Sequence, residues 1–341
     1  MDEPTLKFDI VRTSHVELLV RDLERSRRFY VESLGFVETF ADSDHIYLRG
    51  YEDRFHHCLV LTKSTNSGVG HISFRVRRES DLQGIEQLFR DANLPVMRID
   101  RGRAEVGQGP AIRAQDPFGF PVEFFHEMEE SEWLLQKFHR FEKAKIMRID
   151  HVNILYPRVD PVSEWYTNKL GFLVSEYTVG DPSGGGSIWA TWLRRKPSVH
   201  DVAIMTGRGP RLHHIGFIVQ EKGNILDCAD ILASNGFLGS LERGPGRHGI
   251  SNAFFLYLRD PDGHRIELYT GDYLIADPNW QPKVWSLSDP QRQTFWGAPA
   301  PDSWFNEASE VRSVFDEEKS IPTSEPKSDQ RPKSSSVSLA H

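Results

Sequence analysis

Residues 242–270 read ERGPGRHGISNAFFLYLRDPDGHRIELYT: a basic glycine-rich loop, an aromatic strand, a tight turn and a last strand with a carboxylate in an apolar setting. In Arg265-Ile266-Glu267-Leu268-Tyr269 the residues alternate, so Glu267 shares a strand face with Arg265 and Tyr269. One face of that strand must therefore hold charge. A solvated face is the plain explanation; a metal-binding carboxylate whose histidines come from elsewhere is the sharper one.

Working outward, the turn and strand have a twin. Asp260-Pro261-Asp262-Gly263-His264-Arg265-Ile266-Glu267 parallels Asp116-Pro117-Phe118-Gly119-Phe120-Pro121-Val122-Glu123. Upstream, Ser14-His15-Val16-Glu17-Leu18-Leu19 aligns with Asp150-His151-Val152-Asn153-Ile154-Leu155, and Leu34-Gly35-Phe36-Val37 with Leu170-Gly171-Phe172-Leu173. Gly70-His71-Ile72-Ser73-Phe74 matches His213-His214-Ile215-Gly216-Phe217. Two homologous halves therefore span most of the chain, and such a repeat decides the fold.

Each half splits again where His71 and His214 open a second strand. The first unit is the most legible: a strand over 10–20, a helix over 23–34 capped by Asp22 and closed by Gly35, then β-like runs at 36–40, 45–49 and 56–61. In the third unit Asp160-Pro161 reads as a cap and first-turn proline for a helix that Gly171 closes. In the fourth, a helix over 224–234 ends at Asn235-Gly236. The predicted fold is α+β, with four βαβββ modules paired into two barrel-like domains, 1–145 and 146–273. Residues 131–145, with Trp133, Leu134, Phe138 and Phe141 at helical spacing, are expected to bridge the halves. Residues 274–309 carry Pro and Trp and are expected to wrap the second domain. Residues 310–341 are polar, and a disordered tail is expected there.

A chain of 341 residues, 38% of them hydrophobic, is long enough for two cores. The formal charge of -8, with Lys and Arg scattered, gives no basic stripe and argues against nucleic acid. Cys58 and Cys228 lie far apart, which argues against a disulfide framework or a thiolate metal site. No run is long enough to cross a bilayer, and MDEPTLKFDI lacks a signal-peptide pattern, so a soluble cytoplasmic protein is expected.

His151 opens the third module, His214 opens the fourth, and Glu267 lies on its last strand. A lone histidine on an apolar strand is usually a core residue. Here a curled sheet would make first and last strands neighbours, so the three side chains can converge. Two imidazoles and a carboxylate leave positions open on a metal, the arrangement associated with non-haem Fe(II) oxygen chemistry.

The repeat and these residues together resemble the vicinal oxygen chelate superfamily, and within it the two-domain type I extradiol ring-cleaving dioxygenases. Glu242-Arg243-Gly244-Pro245-Gly246-Arg247-His248-Gly249, with the Tyr257 strand and the turn at 260–263, is similar to the homoprotocatechuate 2,3-dioxygenases. That resemblance implies cleavage of a catechol by O2 to a ring-opened semialdehyde, in the C-terminal half. It implies Fe(II), with Mn(II) the rival, held by His151, His214 and Glu267. It makes His200 the acid–base residue, Tyr257 the hydrogen-bond donor to the diol and Asn153 an orienting amide. Arg243, His248, Arg292 and Trp192 become candidates for binding the substrate, 3,4-dihydroxyphenylacetate or a related catechol. A homo-oligomer, a tetramer, is implied as well.

Two departures qualify the match. The enzymes it resembles tend to carry paired arginines where this chain has Arg292-Gln293. In the N-terminal half, His15, His71 and Glu123 repeat the ligand pattern, and His56 falls opposite His200, but Glu17 and Arg113 stand in place of Asn153 and Tyr257. An arginine there opposes a cation, so mutual hydrogen bonding is expected, with a second metal site as the alternative. Other functions on this scaffold are a hydroquinone-cleaving dioxygenase, a glyoxalase-like metalloenzyme and a non-enzymatic binding protein of the bleomycin-resistance kind. The ligand set with Tyr257 counts against the glyoxalase-like reading, and chain length and the triad count against the binding protein.

Overall fold

The period-two alternation read in residues 265–269 governs both halves of the computed structural model, which describes residues 7–180 and 186–327. The first module runs β1 (Ile10–Val20), α1 (Leu23–Arg27), β2 (Val37–Ala41), β3 (His45–Arg49) and β4 (Leu59–Lys63). The Asp22 carboxylate caps α1 by accepting from the Arg25 amide at 3.0 Å. The helix then widens to a π-helical stretch over Arg28–Leu34, which Gly35 ends at φ +86°. The second module is β5 (Gly68–Val76), α2 (Asp81–Asp91), β6 (Val96–Ile99), β7 (Ala111–Gln115) and β8 (Pro121–Phe125). The third is β9 (Ile146–Tyr156), α3 (Asp160–Glu164), β10 (Leu173–Val179), β11 (Ile188–Arg194) and β12 (Val202–Thr206). The fourth is β13 (Arg211–Val219), α4 (Lys222–Ser234), β14 (Leu241–Arg247), β15 (Phe254–Arg259) and β16 (Arg265–Thr270).

Modules join through their first strands. In the N-terminal sheet the order is β2-β3-β4-β1-β5-β8-β7-β6, with β1 and β5 antiparallel at the centre. The C-terminal sheet repeats this as β14-β15-β16-β13-β9-β12-β11-β10. Trp192 of β11 and Tyr257 of β15 come from its two wings yet line one cleft, so the sheet curls around it. Along β9, Val152, Ile154 and Tyr156 point to the hydrophobic core, while His151 and Asn153 point into the cleft.

The core faces of the two halves pack on each other. Phe36 meets Phe217 at 4.8 Å between ring centroids, Phe29 meets Phe237 at 5.4 Å and Phe74 meets Phe172 at 5.6 Å. Each Asp-Pro turn is also tied to the opposite half: the Tyr30 hydroxyl donates to Asp260 at 2.9 Å, and the Tyr156 hydroxyl to Asp116 at 2.5 Å.

Three local expectations need correction. Residues 131–145 hold only a short 3₁₀ turn, Phe138–Arg140, and Trp133 and Phe138 are exposed; of the four side chains at helical spacing only Leu134 is fully buried, so no helical face forms. Asp160 is the first residue of α3 rather than its cap, and its carboxylate accepts from the Ile188 amide. Residues 310–327 are not a disordered tail. β18 (Ser309–Glu310) pairs with β13, β19 (Arg312–Ser313) pairs with β20 (Asp316–Ser320), Val311 is fully buried beside Val69, and Ser324 bridges to Gly209. Backbone pairing to existing strands orders this segment, with Val311 and Ile321 as its apolar contacts to the core. Before it, β17 (Lys283–Ser286) adds to the β10 edge, and two short helices, α5 (Pro290–Gln293) and α6 (Asp302–Asn306), close over the cleft. No helix among the described residues is long and apolar enough to cross a membrane.

Candidate active site

Three adjacent strands bring the ligand candidates together. Gly216 on β13 is in register with His151 on β9 and with Glu267 on β16, so both side chains reach across it. A Cβ at position 216 would lie 2.2 Å from the His151 ring, which is why the counterpart of Ser73 is a glycine here. Glu267 Oε2 is 3.0 Å from His151 Nε2 and 3.3 Å from His214 Nε2, and all three residues are buried.

Hydrogen-bond polarity shows that this cluster suits a cation. The Trp304 carbonyl, 3.0 Å from His213 Nε2, can only accept, so that nitrogen carries the hydrogen. His213 Nδ1 then accepts from His214 Nδ1 at 2.7 Å, which leaves a lone pair on His214 Nε2 facing the Glu267 carboxylate. An acceptor facing an acceptor needs a positive ion between them. Asp150, 3.2 Å from His151 Nδ1, orients the other imidazole in the same way, and Lys196 holds Asp150 in turn at 3.6 Å. Burial works against the charged form of His151, but Asp150 and Glu267 outweigh it and keep its pKa at about 9; burial takes His214 down to about 4. Burial also opposes the Glu267 carboxylate, yet the imidazoles around it, His151 first, hold its pKa well below the usual range.

Above the ligands the cleft encloses about 590 Å³, counted to its open mouth. His200, Asn153, Trp192, Tyr257, His248 and Arg292 all line it. The His200 ring centroid is 4.0 Å from that of His151; burial and His151 push its pKa well down, and its buried Nδ1 has no protein partner. His248 Nδ1 faces the Gln293 carbonyl at 2.5 Å, so its Nε2 accepts from the Tyr257 hydroxyl at 2.9 Å. The Asn153 Oδ1 and Arg292 Nε atoms are buried without partners.

Arg243 is the exception. It is absent from the cleft lining and stacks between Trp304 and Phe255, with its CZ atom 4.6 and 4.9 Å from their ring centroids, while donating to Thr294. Aromatic contact draws the guanidinium behind Tyr257 rather than into the cleft. Sequence reasoning missed Asp150, His213, Gly216, Tyr269 and Trp304. The adjacent His213-His214 and Asp150-His151 pairs were the available signal for the first two.

Known proteins resemble this chain along most of its length. The model of the Glyoxalase/Bleomycin resistance protein/Dioxygenase superfamily matches residues 12–124 and 148–268. The manganese-dependent 2,3-dihydroxybiphenyl 1,2-dioxygenase of Geobacillus genomosp. 3 is 34% identical over 303 residues, covering 85% of this chain and 95% of that one. The metapyrocatechase of Geobacillus stearothermophilus is 33% identical, covering 87% and 93%. Among solved structures, homoprotocatechuate 2,3-dioxygenase from B. fuscum superposes with a TM-score of 0.90 at 39% identity over 96% of this chain and 89% of that one. The enzyme from Arthrobacter globiformis does so with a TM-score of 0.89 at 39% identity, covering 94% and 98%. With two matched modules pairs, a buried two-histidine, one-carboxylate cluster suited to Fe(II) or Mn(II), and relatives of this kind along nearly its whole length, the chain belongs to the glyoxalase/bleomycin resistance protein/dioxygenase superfamily, as an extradiol catechol dioxygenase.

Proposed function

We propose that this chain opens a catechol carrying a short acidic side chain, 3,4-dihydroxyphenylacetate or a close relative, to a ring-opened semialdehyde, with His151, His214 and Glu267 as the metal ligands. The observation that carries this reading is the convergence of the ligand lone pairs at the floor of a cleft walled by His200, Tyr257 and Arg292. Fe(II) or Mn(II) bound there supplies a chelating site for the diol and a route for electron density from ring to O2.

The chain's own groups then divide the work. Burial keeps His200 neutral, so its unpartnered Nδ1 is free to take a proton from the diol and return it to oxygen when the O–O bond breaks. Burial keeps the Tyr257 phenol protonated, so when the diol enters, its hydrogen turns from His248 Nε2 to the diol oxygen as negative charge grows there. Asn153 offers an amide on the same wall, and Trp192 excludes water. Arg292, with a buried unpartnered Nε, supplies the cation for a substrate carboxylate, and His248 and Gln293 line the cleft with it. The likeness to homoprotocatechuate enzymes supports that substrate class. Arg243 acts through Tyr257 and Trp304 rather than on substrate.

The test is anaerobic purification with Fe(II) or with Mn(II), followed by a catechol panel read by O2 uptake and a yellow product. Uptake with no catechol or hydroquinone sinks the reading. His200→Asn is expected to keep metal and catechol binding while ring opening falls by about 10²–10⁴-fold; unchanged turnover removes His200 from its role. The reading includes a cytoplasmic homo-oligomer, a tetramer, which light scattering of the purified chain checks.

A further inference from the structure

The N-terminal half holds a second convergence of donors, and it is more crowded than the repeat alone suggested. His15 Nε2 lies 3.0 Å from Glu105 Oε2 and 3.4 Å from Glu123 Oε1. His71 Nε2 lies 3.2 Å from Glu105 Oε1, 3.3 Å from His15 Nε2 and 3.7 Å from Glu123 Oε1. Four donors bound tetrahedrally at about 2.1 Å to one ion stand about 3.4 Å apart. All four residues are at least nine-tenths buried.

On the His71 side, hydrogen-bond polarity again favours a cation. The Glu17 carboxylate, 3.0 Å from His71 Nδ1, takes the hydrogen of that nitrogen, so the Nε2 lone pair faces Glu105 and Glu123. The carboxylates have further partners: Glu105 Oε2 takes His57 Nε2 at 2.7 Å, Glu123 Oε2 takes Arg113 Nε at 2.6 Å, and Glu123 Oε1 takes the Ser73 hydroxyl and Gln108 Nε2, each at 2.9 Å. His15 Nδ1 is buried with no partner. The charges reach the same conclusion. Three buried or nearly buried carboxylates, Glu17, Glu105 and Glu123, face one guanidinium, Arg113, which leaves two negative charges unmet. Protonating both imidazoles would point two N–H groups at each other across 3.3 Å. One divalent ion meets the deficit without that clash. Arg113 is no obstacle, because Glu123 and Glu105 already hold it.

We propose that His15, His71, Glu105 and Glu123 form a second site for a first-row divalent cation, closed by four protein ligands and structural in role. Glu105 comes from the loop between β6 and β7, which corresponds to the β14–β15 loop that brings His248 over the catalytic cleft. Here that loop supplies a fourth ligand, and Ser73 stands where Gly216 makes space in the other half, its hydroxyl bound to Glu123 at 2.9 Å. A four-coordinate ion such as Zn(II) keeps no position for a substrate there.

The experiment leaves the N-terminal cluster intact in its first arm. Purified wild type, His214→Ala and His71→Ala/His214→Ala are each incubated with Mn(II), desalted and analysed for metal per chain. Two equivalents, one and none are expected in that order, and chelator is expected to lower the melting temperature of His214→Ala. A His214→Ala chain that is folded by circular dichroism yet holds no metal overturns the proposal. So does a double variant that keeps one equivalent. Because none of these counts depends on turnover, they stand apart from the test of ring cleavage.

Discussion

At the residue scale, the proposed metal site of the C-terminal half depends on atoms that ligate nothing. Gly216 matters for the side chain it lacks, since a methyl there meets the His151 ring at 2.2 Å and no flexible chain end can yield. Gly216→Ala is expected to weaken metal binding at that site by about 10–100-fold, the loss typical of disturbed ligand support. His213 matters for the tautomer it imposes on His214. His213→Ala is expected to cost a similar factor, because His214 Nδ1 loses its acceptor and the imidazole can present an N–H in place of its lone pair. Competition with a coloured chelator measures both, and unchanged affinity in His213→Ala would refute the tautomer argument.

At the scale of the element, β16 is the strand from which the reading began, and its charge is more costly than a solvated face. Arg265 is almost completely buried, held by Glu242 of β14 at 2.6 and 3.0 Å and by the carbonyls of His213, Ser303 and Glu307. Removing its counter-ion strands a cation in the core, so Glu242→Gln is expected to lower stability by about 3 kcal/mol in urea denaturation. The same pair sets a pH response. Burial raises the pKa of Glu242, but Arg265, with Arg259 and Ser303, outweighs it and holds the value at about 2. A depressed carboxylate stabilises the fold above its unfolded value, near 4.5, and that contribution is lost as pH falls toward about 2. Wild type is therefore expected to lose roughly 3 kcal/mol over that window from this group, a loss that Glu242→Gln does not show.

At the scale of the whole molecule, the halves are locked by aromatic packing and by two tyrosine–aspartate bonds across the interface. Phe217→Ala removes a ring buried against Phe36 of the other half and is expected to cost about 3–5 kcal/mol, in a single unfolding transition if the halves unfold together. The last described residues add to this lock. β18 pairs with β13, and the Ser309 hydroxyl bonds to His264, whose other nitrogen reaches the Leu19 carbonyl. A chain ending at Glu307 is expected to melt below one ending at Lys327 by calorimetry. Equal melting temperatures would mean that this strap contributes nothing.

The repeat between the two halves was enough for the modules and their pairing, and it singled out His151, His214 and Glu267 as candidates, because strand alternation and a repeat are local and periodic properties. The cap at Asp22 and the left-handed glycines at 35 and 171 were equally readable, since turn chemistry is written in a few adjacent residues. Other features were decided only by the fold. Arg243 was drawn behind the cleft by three rings from two separate segments, and a polar segment after residue 309 was ordered by backbone bonds that composition does not encode. Glu105 joined His15, His71 and Glu123 from a loop with no periodic signal. Which way His214 points its lone pair was likewise decided by a group distant in sequence, the Trp304 carbonyl that fixes the tautomer of His213. Local patterns say which residues can bind a metal; only the three-dimensional neighbours of their far nitrogens determine that they are poised to do so.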